Sequence, residues 1–152
     1  ARRVFDLQNA LYASPTYLAQ AGRPSSPAQL LEHAALGLVS STGELLPWSL
    51  RRGDERWDGL PTGPLASNSV ALHTALALRG LGIAALASRV AQPYVEQNRL
   101  ERVLPDWSFP TMTVWCVTAG RRLLPLRTTA FIEMLSSALA TPCDAGPAAA
   151  DV

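Results

Sequence analysis

The stretch LASNSVALHTALALRGLGIAALA, residues 65–87, limits the fold more than any other part of the sequence. A short apolar run leads to Asn68 and Ser69, either of which suits a helix N-cap. Residues 70–79 lack alternation and are rich in Ala and Leu, which favours helix. Gly80 stands where a left-handed C-terminal cap is wanted, and residues 83–87 form an apolar run fit for a buried strand. The Gly80-Leu81-Gly82 step superficially suggests a nucleotide loop. A dinucleotide fingerprint, however, needs strand, then glycines, then helix, so that phosphate meets helix amides. Here the order is reversed, and the end of a helix offers carbonyls. The glycines therefore serve backbone geometry: Gly80 with positive φ, and Gly82, with a lesser demand, where Ile83 approaches its neighbours on entering the sheet.

The remaining punctuation repeats the alternation. Residues 4–13 read as strand, and Pro15 opens a helix over 16–21 that Gly22 stops. Ser25-Ser26-Pro27 is a helix start, with a second short helix over 28–33. Residues 35–39 read as a buried strand and 40–43 as a polar turn. Residues 46–50 and 55–57 can pair across 51–54, with Gly53 as the turn glycine. Helix follows over 89–97, strands over 100–104 and 111–118, and a last helix over 126–139, with Phe131, Met134, Leu135 and Leu139 spaced for one face. Residues 141–152 are rich in Ala, Pro and Gly and read as a disordered tail. Strands alternating with helices at short spacing predict an α/β layer fold with a largely parallel sheet.

Composition removes several function classes. The 152 residues are 48% hydrophobic and 16% charged, enough for a packed core and against disorder of the body. A net charge of +1 argues against a nucleic-acid-binding surface. No apolar run is long enough to span a bilayer. The two cysteines, Cys116 and Cys143, make no disulfide framework and read as free thiols of a reducing, cytoplasmic compartment. The sequence opens without Met inside a strand, and reads as part of something longer.

Several stretches together resemble one family. LYASPTYLAQAGRPSSPAQLLEHAAL (11–36) is similar to the helix-Pro-helix-His segment of LysR-type transcriptional regulators, SNSVALHTALALRGLGIAALASRVAQPYVEQNRLERVLPDW (67–107) to their effector-domain core, and TVWCVTAGRRLLPLRTTAFIEMLSSAL (113–139) to their returning strand and final helix. The resemblance covers about nine-tenths of the chain and implies a periplasmic-binding-protein type 2-like effector domain. One subdomain (10–110) would be complete. A crossover strand (1–9) and a return strand and helix (111–140) would belong to the other, with the tail at 141–152. A small-molecule effector, a small organic anion, would sit in the cleft. DNA would be reached only through an N-terminal helix-turn-helix outside this chain, in a dimer or tetramer. The competing reading is a lobe of a related solute-binding protein.

The turn SSTGE (40–44) follows a buried strand, where open α/β sheets place ligand groups. The resemblance implies effector contacts at Ser41 and Thr42, at Asn68 and Ser69 with the free amides of the helix they open, and at Thr113. Turn formation and capping also account for these residue types. Asn9 and Tyr12 are weaker candidates. His33 and His73 show no metal-ligand or nucleophile-base spacing with Cys116, so no catalytic residue, metal or cofactor is expected. The four tryptophans, Trp48, Trp57, Trp107 and Trp115, read as core or edge packing. The helix over 70–79, apolar round most of its circumference, is expected to be buried on more than one side, within the monomer or against a partner subunit.

Overall fold

The computed structural model describes residues 2–118 and 126–139, which fall into two compact units. The larger, Gln8–Pro110, contains strands β2 (Asn9–Ala13), β3 (Ala35–Leu38), β4 (Trp48–Arg52), β5 (Glu55–Gly59), β6 (Leu65–Ser67), β7 (Ile83–Ala87) and β8 (Glu101–Val103). Its helices are α1 (Pro15–Ala21), α2 (Val70–Leu78) and α3 (Ser88–Glu96), with a 3-10 segment at Pro27–Glu32. The other unit pairs β1 (Arg2–Leu7) antiparallel with β9 (Met112–Cys116), beside α4 (Leu126–Leu139). The tail expected at 141–152 lies outside the described residues.

The central sheet has the order β6-β3-β7-β2-β8. Pairings of β3 with β6 and β7 are parallel, whereas those of β2 with β7 and β8 are antiparallel. The sheet is therefore mixed and not largely parallel. Alternation of helices with strands establishes the layers but leaves the direction of β2 and β8 open.

Period-two alternation sorts the core onto both faces. Leu11 and Ala13 of β2, Ala35 of β3 and Ile83 of β7 join α1, Leu30 and the hairpin residues Trp48 and Leu50 on one side. Ala10, Tyr12, Leu36, Ala84 and Leu86 join Ala77 of α2 and Ala91 of α3 on the other. A sheet covered on both faces needs strands apolar in both directions, and NALYA and IAALA have that composition.

Several boundaries depart from the sequence reading. The strand expected over 4–13 breaks at Gln8, where the chain passes from one unit to the other. The helix expected over 28–33 is a 3-10 segment, closed by i→i+3 bonds from Gln29 N–H to Ser26 O and from His33 N–H to Leu30 O; so short a segment has little to gain from the α form. The first hairpin strand starts at Trp48, because Leu45 and Leu46 bond back to β3 through Val39 and Leu38. Trp115 is exposed, in contrast to the other tryptophans.

α2 is also less buried than its composition suggests. Val70, Ala71, Leu72 and Ala75 are exposed, while the inward face carries His73, Thr74 and Ala77. The two inward polar groups are satisfied locally: Thr74 Oγ1 donates to Val70 O at 2.9 Å, and His73 Nε2 pairs with Ser67 Oγ at 3.1 Å. Two polar residues thus share the inward face with Ala77, while Val70, Ala71, Leu72 and Ala75 face out.

At the opening glycine pair, Gly80 has φ +77° and Gly82 φ +154°. The first matches expectation. The second reverses the expected ranking, because a methyl at Gly82 would overlap the carbonyl oxygen of Ala34. That oxygen accepts the Ile83 N–H at 2.8 Å, so the backbone there is closed against any side chain.

Candidate functional site

Register brings the polar candidates of the larger unit to one end of the sheet. Leu38 of β3 lies opposite Ser67 of β6 in parallel pairing, and Val39 N–H donates to Ser67 O at 3.1 Å. The turn after β3 and the Asn68-Ser69 step after β6 therefore emerge side by side. β7 runs parallel to β3 on its other side, so α3 begins at the same end. Carboxyl ends of adjacent parallel strands are where open α/β sheets present ligand groups.

The turn after β3 is largely self-satisfied. Ser40 Oγ accepts from the amides of Thr42 and Glu44, both at 3.2 Å, and bonds Thr42 Oγ1 at 2.8 Å. Thr42 Oγ1 donates onward to Glu44 Oε2 at 3.3 Å. Thr42 is thus spent on the turn, and Gly43, with φ +85°, closes it. Ser41 is exposed, and its hydroxyl meets no partner among the described residues.

The step after β6 divides its labour in the same way. Ser69 Oγ accepts the Leu72 N–H at 3.2 Å and is the α2 cap. Ser67 Oγ accepts the Ser69 N–H at 3.2 Å and pairs with His73. Asn68, between them, is exposed, and its side chain has no hydrogen bond among the described residues. Either residue suits a cap by type, and the structure gives the role to Ser69.

Two further features of this end were not legible in the sequence. Burial lowers the His73 pKa below its ordinary value, so the imidazole that holds Ser67 is neutral near pH 7. The N-terminus of α3 has Ala87 at its cap position, which supplies no side-chain acceptor; one amide of its first turn, Ser88 N–H, donates to Gln8 O at 2.8 Å. A serine-histidine pair six residues apart becomes visible only once the strand-to-helix corner is formed.

The other candidates fall elsewhere. Thr113 is on β9 in the smaller unit, where its hydroxyl donates to Asp6 Oδ1 at 2.9 Å. That bond, together with Arg3, holds the Asp6 carboxyl below the usual carboxylate range. Tyr12 is buried in the core on the α2 side of the sheet. Asn9 is half-buried on β2, opposite Ala87. His33 is structural: Tyr17 Oη accepts the Ala34 N–H at 2.9 Å and shares a hydrogen bond with His33 Nδ1 at 3.1 Å. Among the described residues no three His, Cys, Asp or Glu side chains gather as a metal set would, and no helix is long and apolar enough to cross a membrane.

A sheet covered on both faces, with a polar turn and two helix N-termini at the carboxyl ends of adjacent parallel strands, places the larger unit among α/β domains that present ligand groups at strand ends. Residues 1–140 match the LysR substrate binding domain, and the chain belongs to that family. It is 31% identical over 144 residues to an HTH-type transcriptional regulator of Xanthomonas campestris pv. campestris, covering 91% of this chain and 41% of that protein. With the probable HTH-type transcriptional regulator SinR of Salmonella typhimurium it shares 34% over 124 residues, 80% of this chain and 39% of the other. The chain therefore spans about two-fifths of the length of these curated relatives. Among solved structures, the full-length Vibrio cholerae virulence activator AphB superposes with a TM-score of 0.78 at 22% identity, over 91% of this chain and 47% of that one. The regulatory domain of CrgA, a LysR-type regulator from Neisseria meningitidis, gives 0.69 at 26% identity, over 91% and 68%. Its relatives are transcriptional regulators, not solute-binding proteins or enzymes.

Proposed function

We propose that this chain is the sensing part of a LysR-type regulator and binds a small organic anion at the carboxyl ends of β3 and β6. The observation that carries this reading is the parallel register of Leu38 with Ser67. It brings the turn that carries Ser41 and the step that carries Asn68 to the same end of the sheet, where α2 starts, and neither side chain has a hydrogen bond among the described residues. Helix-terminal amides and the helix dipole there favour negative charge. Ser69 contributes through the amides it leaves exposed, Thr42 by shaping the turn, and Thr113 stays a candidate contact within the smaller unit.

Occupancy would change the relative populations of two arrangements of the regulator, and a helix-turn-helix outside this chain would read the change on DNA. In domain terms, residues 10–110 form the effector subdomain, while 1–9 and 111–140 serve the other. The outward apolar face of α2, with Val70, Ala71, Leu72 and Ala75, supports assembly into a homo-oligomer. A regulator acting on the chromosome works in the cytoplasm.

The test uses the intact regulator. Small organic acids are screened by thermal shift, and the acid that raises the melting temperature most is titrated calorimetrically. Asn68→Ala is expected to weaken its binding about tenfold, the worth of one hydrogen bond to a charged group, with unchanged stability. Unaltered affinity in both Asn68→Ala and Ser41→Ala would refute the placement.

A further inference from the structure

The opposite edge of the same sheet holds a separate cavity. β8 is an edge strand, and Leu104 just after it has φ +51°, a left-handed conformation rare for leucine. The Trp107 N–H donates to Leu104 O at 2.9 Å and fixes this turn. Between the turn and the end of α1 lies a cavity of about 180 Å³. Leu18, Pro24, Val103 and Leu104 form apolar, buried walls, and Arg23 and Arg102 supply charge.

The two arginines are not equivalent. Arg23 is paired with Glu101 at 2.5 Å. Among the described residues Arg102 has no carboxylate partner: its guanidinium donates once, to Trp107 O at a long 3.4 Å, and its Nε is buried without a partner. A guanidinium does not shed its charge, and a half-buried cation beside apolar walls is costly until an anion compensates it.

We propose that this cavity binds a small organic monocarboxylate, its carboxylate on the Arg102 guanidinium and its tail against Leu18, Pro24, Val103 and Leu104. One uncompensated positive charge matches one negative charge, since Arg23 is already neutralised by Glu101. The volume corresponds to about six waters, room for an acid of roughly four to six carbons. Four strand spacings of the sheet, roughly 19 Å, separate β8 from β6. The cavity is therefore distinct from the strand-end site proposed above, and neither reading depends on the other.

Calorimetric titration of the intact regulator with butyrate tests it. Butyrate is expected to saturate a site that Asn68→Ala leaves unchanged. Arg102→Gln is expected to weaken binding about tenfold or more, as loss of a charge-assisted bond should. Butyramide, which has the shape without the charge, should be weakened as much. Should Arg102→Gln fail to fold, Arg102→Lys keeps the cation but loses the paired donors, and a partial loss with the butyrate-butyramide contrast retained is expected. The proposal is overturned if butyrate does not bind, if butyramide or inorganic phosphate binds as tightly, if neither arginine substitution alters affinity, or if Asn68→Ala abolishes butyrate binding.

Discussion

Replacing Gly82 by alanine should destabilise the larger unit more than replacing Gly80, although Gly80 is the helix-ending glycine. At Gly80, φ is +77° and an added methyl would stand 3.3 Å from Ser14 Oγ, a tight contact that a hydroxyl can yield. The left-handed conformation costs a non-glycine residue about 1–2 kcal/mol, and about 0.5 kcal/mol returns through a stiffer unfolded chain. At Gly82, φ is +154°, and the methyl would overlap Ala34 O and lie 3.1 Å from Ala34 C. Strain there is about 1–3 kcal/mol. Relieving the overlap moves the carbonyl that accepts the Ile83 N–H at 2.8 Å, a bond worth about 1 kcal/mol. With the same return from the unfolded chain, Gly82→Ala should therefore lose about 1.5–3.5 kcal/mol and Gly80→Ala about 1 kcal/mol. At about 3 °C per kcal/mol for a chain of this size, the melting temperatures should fall by about 5–10 °C and about 3 °C. Urea midpoints on the two variants decide the order. A Gly80→Ala loss equal to or larger than that of Gly82→Ala would refute the reasoning.

Two further outcomes follow from the strand-to-helix corner. Ser69→Ala should cost about 1 kcal/mol through loss of the bond from Leu72 N–H, while Asn68→Ala should leave the urea midpoint unchanged. Stability should also fall as pH drops below about 6.5, the ordinary histidine value. His73 in the folded chain has a lowered pKa, so the unfolded chain takes up the proton first and is favoured as pH falls. Urea midpoints measured between about pH 7.5 and 5.5 should slope less in His73→Gln than in the parent.

Legibility followed how local the determinant is. The bounds of β6 and β7 read correctly from sequence, and those of α2 to within a residue, because short apolar runs there are bounded by a serine cap and by glycine. The rank of Gly82 did not, since its demand comes from Ala34, some fifty residues earlier and adjacent only across the sheet. Strand direction failed for the same reason: nothing in NALYA says that it runs against IAALA. Composition could not say which face of α2 turns inward within the chain, because it only counts apolar residues. What decides burial is that His73 and Thr74 find partners in Ser67 and Val70, which frees Val70 and Leu72 to face outward. Arg102 carried no sequence signal either, being one of thirteen arginines until the end of α1 is placed beside β8.

Ser67, Asn68 and Ser69 show why the candidate site was half visible. All three are small polar residues after an apolar strand, so composition assigns any of them to a cap, a turn or a ligand. Geometry separates them through the backbone donors within reach. Ser69 meets Leu72 N–H, and Ser67 meets Ser69 N–H and the neutral His73. Both hydroxyls are thereby consumed in holding the corner. Asn68, at the bend between β6 and α2, has no hydrogen-bond partner among the described residues and is left exposed. Its substitution costs the scaffold little, so within this architecture the side chain at that position can change to suit a ligand while the corner stays formed. A substitution at Ser67 has no such freedom. It would leave His73 Nε2 buried without a partner, at a cost of about 1–3 kcal/mol, and would change the site only by loosening what holds Asn68 in place.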